Sequence, residues 1–106
     1  EQASRLLNQA GYYLKQRAQF AEAEPLYRRA LEIDERSFGS DHPDVGTDLN
    51  NLAALLMETN RLAEAEPLMR RALEIEKLSF GAGHPNVSIR LNNLAWLLKE
   101  TNRLAE

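Results

Sequence analysis

Three side-chain amides recur at one spacing: Gln9, Asn51 and Asn93 lie 42 residues apart. An amide offers donors and an acceptor together, which is the pattern needed to pair with a peptide backbone. Asn50 and Asn92 stand one residue before the second and third members, and two consecutive asparagines are poor helix formers. A local rule broken in this way tends to mark function. The alternative for Asn50 and Asn92 is structural: hydrogen bonds that bridge neighbouring units. Tyr12 and Trp96 occupy matching positions, with Ala54 between them. Large aromatics of this kind are common binding anchors, or they cover the ends of a short array. These seven residues, Gln9, Asn50, Asn51, Asn92, Asn93, Tyr12 and Trp96, form the expected peptide-binding set.

Other chemistry finds no support. The chain has no cysteine nucleophile, five scattered glycines make no phosphate-cradling loop, and no carboxylate pair is singled out beyond the charge ladders. No catalytic residue and no cofactor are expected. His42 and His84 each precede a proline, and two ligands from different units do not complete a zinc site. They read as linking or capping residues at helix starts, and no metal is expected. Asn86-Val87-Ser88 fits a glycosylation sequon, a short and frequent match.

The elements that must carry the amides are helices. From Pro43 to Glu58 the apolar residues Val45, Leu49, Leu52, Ala53, Leu55 and Leu56 make one broad helical stripe. From Leu62 to Ser79 the stripe is Leu62, Ala65, Leu68, Met69, Ala72, Leu73 and Ile75. The short link Glu58-Thr59-Asn60-Arg61 forces the two helices antiparallel. Asn60 and Asn102 suit the left-handed residue that ends a helix, and Gly39 and Gly81 suit helix C-termini. Asp41 is the expected N-cap of the next helix, and Pro43 and Pro85 are each pre-set for the first turn of a helix. Pro25 and Pro67 are expected close to a helix start, where a missing N–H costs little. The spacing predicts helices over 3–17, 20–38, 43–59, 62–80 and 85–101.

The helices belong to a repeat. Aligning Phe20–Arg61 with Leu62–Arg103 leaves 29 of 42 positions identical. A fixed period of this size means stacked supersecondary units. The units expected are 1–42, 43–84 and a shorter 85–106, about two and a half repeats and a fragment of a longer array. Glu24, Arg28 and Glu32 recur as Glu66, Arg70 and Glu74, an i,i+4 ladder of opposite charges that reads as a solvated face.

Composition closes other routes. The net charge of −3 argues against a general nucleic-acid binder, which carries a basic stripe. The chain has no cysteine, hence no disulfide framework, which suits a cytoplasmic compartment. No apolar run approaches the roughly 18 residues of a membrane span, so no membrane partner is expected.

The small and large residues of the helix pairs resemble the tetratricopeptide repeat. Leu49, Leu52, Ala53, Leu56, Leu62, Ala65, Met69, Ala72 and Leu73 carry the pattern in one unit. Leu7, Ala10, Gly11, Leu14, Phe20, Ala23, Tyr27, Ala30 and Leu31 carry it in the unit before. The 42-residue length, with Glu-Ala-Glu-Pro-Leu, Leu-Asn-Asn-Leu-Ala and Phe-Gly-x-x-His-Pro, is similar to the kinesin light chain class of that family. No heptad segment accompanies it. The resemblance implies an all-α, right-handed superhelical solenoid whose first helices line a concave groove, and a scaffold that binds an extended peptide. It also implies that Gln9, Asn51 and Asn93 form an amide ladder along that groove. The family's carboxylate clamp would need Asn8, Tyr12, Asn51, Ile89 and Asn93; only Asn51 fits, so no clamp is expected. The second expectation is a structural or self-associating element. Leu91, Leu94 and Leu98 would lack a partner helix and drive a homo-oligomer, including one made by trading helices between chains.

Overall fold

The computed structural model describes residues 2–105, with side chains through Asn102. Five helices follow one another: α1 (Gln2–Gln16), α2 (Phe20–Phe38), α3 (Pro43–Glu58), α4 (Leu62–Phe80) and α5 (Pro85–Ala105). Among the described residues there is no strand. Each helix packs on the next, and α1 also approaches α3. The result is an all-α stack of antiparallel pairs, 42 × 34 × 20 Å in extent.

Packing follows the small–large alternation. Ala23, Tyr27, Leu52, Ala53, Leu55, Leu56, Leu62, Ala65 and Met69 share one cluster with Val87, Leu94 and Leu97, which joins all three units. Val45, Leu49, Ala72 and Ile75 form a second. Where the middle unit sets Ala53 against Met69, the first sets Gly11 against Tyr27. A Cβ on Gly11 would stand 2.8 Å from the tyrosine ring. The missing methyl is thus the space that the larger aromatic fills.

The helix ends carry two corrections. The N-cap of α3 is His42, not Asp41: its Nδ1 accepts from the Asp44 N–H at 3.1 Å. His84 repeats the bond with the Asn86 N–H, also at 3.1 Å. Each imidazole stacks on the phenylalanine that ends the preceding helix, Phe38 at 4.2 Å and Phe80 at 4.9 Å between ring centres. Between them, Gly39 (φ 85°) and Gly81 (φ 87°) adopt the left-handed conformation. The Phe-Gly-x-x-His-Pro signature is therefore a stop, a ring stack and a start. Proline supplies a pre-set first turn, and histidine, one residue nearer than Asp41, reaches the free N–H.

The second correction concerns prolines and the last helix. Pro25 and Pro67 lie inside α2 and α4, five residues past each start, so the carbonyls of Ala21 and Ala63 lose their helical donors. Both alanines and both prolines are exposed, so those carbonyls lie on the solvent side of the helices. Asn60 (φ 61°) takes the left-handed position as expected, but Asn102 does not end a helix. α5 continues to Ala105. In the first unit the turn position is Ala18 (φ 60°).

Candidate functional site

The amide ladder divides along its two columns. In the first column, Asn8 Nδ2 donates to Asp48 Oδ1 at 2.7 Å, across from one unit to the next. Asn50 Nδ2 donates to Glu76 Oε1 at 2.9 Å, within its unit. Arg90 Nε donates to the same Glu76 oxygen at 3.2 Å and carries the link into the third unit. These amides hold helices together. Asn92 is exposed on α5. In the second column, Gln9, Asn51 and Asn93 make no side-chain hydrogen bond to another described residue.

Gln9, Asn51 and Tyr12 meet in one cavity of about 470 Å³ between α1 and α3. Ser4, Arg5 and Asn8 from α1, Asp34 from α2, and Asp44, Thr47 and Asp48 from α3 complete its lining. Asn93 does not share it. With Asn50, Ala54 and Arg90 it lines a smaller cavity, about 70 Å³, at the next junction. Tyr12 is 56 % exposed and Trp96 49 %, so both aromatics stand free of the core. Lys15 lies over the Tyr12 ring at 6.0 Å and reaches Glu58 at 3.8 Å. On the opposite edge α2 and α4 are joined by long side chains, Arg71 to Glu35 at 2.6 Å and Arg61 to Glu24. Arg61, followed by Arg28, holds the Glu24 carboxyl below its ordinary range. The charge ladder is present as Glu24–Arg28 (2.9 Å) and Glu66–Arg70 (3.0 Å).

The floor of the larger cavity holds what residue spacing did not single out. Asp34 and Asp48 are 2 % and 1 % exposed and side by side. Ser4 Oγ donates to Asp34 Oδ1 at 2.7 Å. Asp48 Oδ2 is buried and accepts from no N–H or O–H of the described residues. Burial first, then the hydrogen bond to Asp34 and the Asp34 and Asp44 charges, push the Asp48 carboxyl up to about 8 against the opposing Asn8 amide. The signal lay in the repeat register: Asp48 stands 42 residues before Arg90, a charge reversal at a matched position.

No three His, Cys, Asp or Glu side chains among the described residues gather as a metal set. His42 and His84 are occupied at helix starts. No described helix is long and apolar enough to cross a membrane. The apolar face expected on α5 is only partly open: Leu94 is buried and Leu98 packs on the main cluster, while Ile89, Leu91 and Trp96 are exposed. α4 packs against α5.

A family model described as tetratricopeptide repeat matches residues 2–75 and again 49–106. No curated protein sequence matches the chain. Among solved structures, the "nearly identical TPR-like repeats" of a Podosopora anserina protein named for kinesin light chain superpose with a TM-score of 0.80. They share 21 % identity over 97 % of this chain and 50 % of theirs. A single-substitution variant of that protein gives 0.81, with 22 % identity over 99 % and 50 %. The chain thus spans about half the length of these structures, and the likeness is one of fold.

Proposed function

The chain belongs to the tetratricopeptide repeat family, and from that premise we propose that it is a non-catalytic, cytoplasmic scaffold whose α1–α3–α5 side holds an extended peptide segment of a partner protein. Arrays of this family are generally protein–protein interaction scaffolds. One observation carries the finer reading. Asn8 and Asn50 are engaged in holding the helices, whereas Gln9, Asn51 and Asn93 have amides with no described partner. Amides left unpaired on one side of a helical stack can pair with a backbone that lacks its own partners. Asn50 and Asn92 flank the ladder, and Tyr12 and Trp96 supply apolar contact beside it. The proposed repeat units remain 1–42, 43–84 and 85–106. Neither a nucleic acid nor a membrane is among the proposed partners.

The test begins with peptides selected from a random extended library on the intact chain, with affinities measured by calorimetry. Micromolar binding is expected for a surface this short. Asn51→Ala and Asn93→Ala should each weaken selected peptides by about fivefold, near 1 kcal/mol, without lowering the melting temperature. Unchanged affinity in both variants would refute the ladder.

A second reading is self-association, favoured by exposed Ile89, Leu91 and Trp96 on α5. Sedimentation equilibrium should then show the mass rising above 12.0 kDa with concentration. Leu91→Lys should suppress the rise. A monomer across micromolar to millimolar samples rules this reading out.

A further inference from the structure

One position on the groove side changes size from unit to unit. Tyr12, Ala54 and Trp96 lie 42 residues apart, and only the middle one is small. Ala54 lines the cavity of about 70 Å³ at the second junction, bounded by α3, α4 and α5. Ala53, Met57 and Met69 line it too, so much of its wall is apolar. Asn50 and Arg90 are spent on Glu76 Oε1, to which they donate at 2.9 and 3.2 Å, and the Arg90 charge is answered inside the protein. Asn93, at the same cavity, keeps an amide with no described partner.

The repeat register also sorts the exposed residues of α5. Leu91 matches the buried Leu49, so it is open because no described helix covers that face of α5. Ile89 matches Thr47, which is exposed even in the covered middle unit. Ile89, Asn93 and Trp96 follow at spacings of four and three, on one side of the helix. That side is open surface of the array itself.

We infer that this cavity is the anchor subsite of the groove and takes a small aliphatic side chain, the size of valine, from a segment with an acidic residue close by. The inference rests on the groove reading and names the side chain that the segment must bring. At roughly 30 Å³ for each water-sized group, the cavity admits about two or three non-hydrogen atoms. Valine supplies that many beyond Cα, and an aromatic ring exceeds the space. Met57 and Met69 are unbranched and adjust their shape to the occupant. The Asn93 amide is placed to pair with the backbone that carries it.

Charge selects the flank. Lys99 stands in register with Met57, is exposed, and makes no ion pair with another described residue. It lies three residues beyond Trp96, on the same side of α5. In an extended segment every second side chain shares a side, so an acidic residue two places from the valine would meet that cation.

The probes are the peptides acetyl-Glu-Ser-X-Ser-Glu-amide, with X as glycine, alanine, valine, leucine or phenylalanine, titrated into the intact chain. Glutamate on both flanks makes the test independent of strand direction. Calorimetry reads affinity, and NMR follows the methyl signals of Ala54, Met57 and Met69. Valine should shift those signals saturably and bind at least about tenfold tighter than glycine, at about fourfold for each buried CH₂. Phenylalanine should fall back to the glycine level. Ala54→Gly enlarges the cavity and should move the optimum from valine to leucine. Ala54→Leu fills it and should remove the advantage of valine, which keeps the test decisive if the glycine variant fails to fold. Lys99→Gln should weaken the valine peptide by about threefold and leave its glutamine-flanked analogue unchanged.

Equal affinity for glycine and valine, a size optimum that neither Ala54 variant alters, or valine binding with unmoved methyl signals would each overturn the subsite. Equal binding of the glutamate and glutamine peptides would overturn its acidic flank. Library peptides that need Asn51 and Asn93 yet show no aliphatic preference would leave the groove standing and sink the subsite. A valine peptide that shifts Met57 and Met69 but binds Asn51→Ala and Asn93→Ala undiminished would do the reverse.

Discussion

Ala18 and Asn60 hold the same turn in successive units, both in the left-handed region, at φ 60° and 61°. That conformation costs a residue with a Cβ about 1–2 kcal/mol, and asparagine tolerates it better through local hydrogen bonding. Ala18 makes no such bond. Ala18→Gly should therefore stabilise the chain by about 1 kcal/mol in urea denaturation, with Ala18→Asn giving a smaller gain. Asp48 runs the other way. Its carboxyl is raised from 3.8 to about 8 in the folded chain. Between those values the unfolded chain has released the proton and the folded chain keeps it. Stability therefore falls as pH rises from 4 to 8, and is level on either side. Asp48→Asn removes that slope. It should be near neutral at pH 4 and stabilising by on the order of 2 kcal/mol at pH 8, in denaturation at both values. A residue that costs stability at neutral pH and faces a cavity fits the trade between stability and binding.

At the scale of elements, the links decide the geometry. His42 holds the first turn of α3 through Nδ1 and stacks on Phe38 at the end of α2. His42→Ala removes the cap and the stack together. It should cost about 1 kcal/mol, with faster hydrogen exchange confined to the start of α3. The helix faces set a second test. Gly11→Ala brings a methyl to 2.8 Å from the buried Tyr27 ring and should destabilise by about 1–2 kcal/mol, despite alanine's better helix propensity. Adding Tyr27→Met recreates the Ala53–Met69 pair of the middle unit and should recover most of that loss in a double-mutant cycle. Both arguments explain what the sequence made legible. Period, helix number, four of the five helix starts and the left-handed Asn60 followed from residues that act locally. The capping role of His42 was legible, but Asp41 was expected at the N-cap itself, and the choice between them depends on the ring of Phe38 at the end of α2. The amide ladder was visible as spacing, but which amides are engaged depended on partners 26 and 40 residues away. The acidic pair was hidden for the same reason: Asp34 and Asp48 lie on different helices, and only the register against Glu76 and Arg90 marks them.

For the whole molecule, burial is uneven. α3 and α4 are covered on both sides and carry most of the fully buried large side chains, among them Leu49, Leu52, Leu55, Leu56 and Ile75. α1 and α5 are each covered on one side. In a stack where a unit contacts only its neighbours, stability is a sum of unit and interface contributions. A cavity in the middle acts on two interfaces at once, and one at an end acts on at most one. Leu52→Ala, at a position with 0 % exposure, should cost about 3 kcal/mol and lower the protection of every helix together. Leu91→Ala, on the open face of α5, should cost under about 0.5 kcal/mol and leave α1 to α4 unchanged. Native-state hydrogen exchange separates these outcomes helix by helix. Protection should rank α3 and α4 above α1 and α5 in the parent chain. If all five helices instead opened with one free energy, the array would be a single cooperative unit. The α1–α3 side that lines the cavity would then be as rigid as the core.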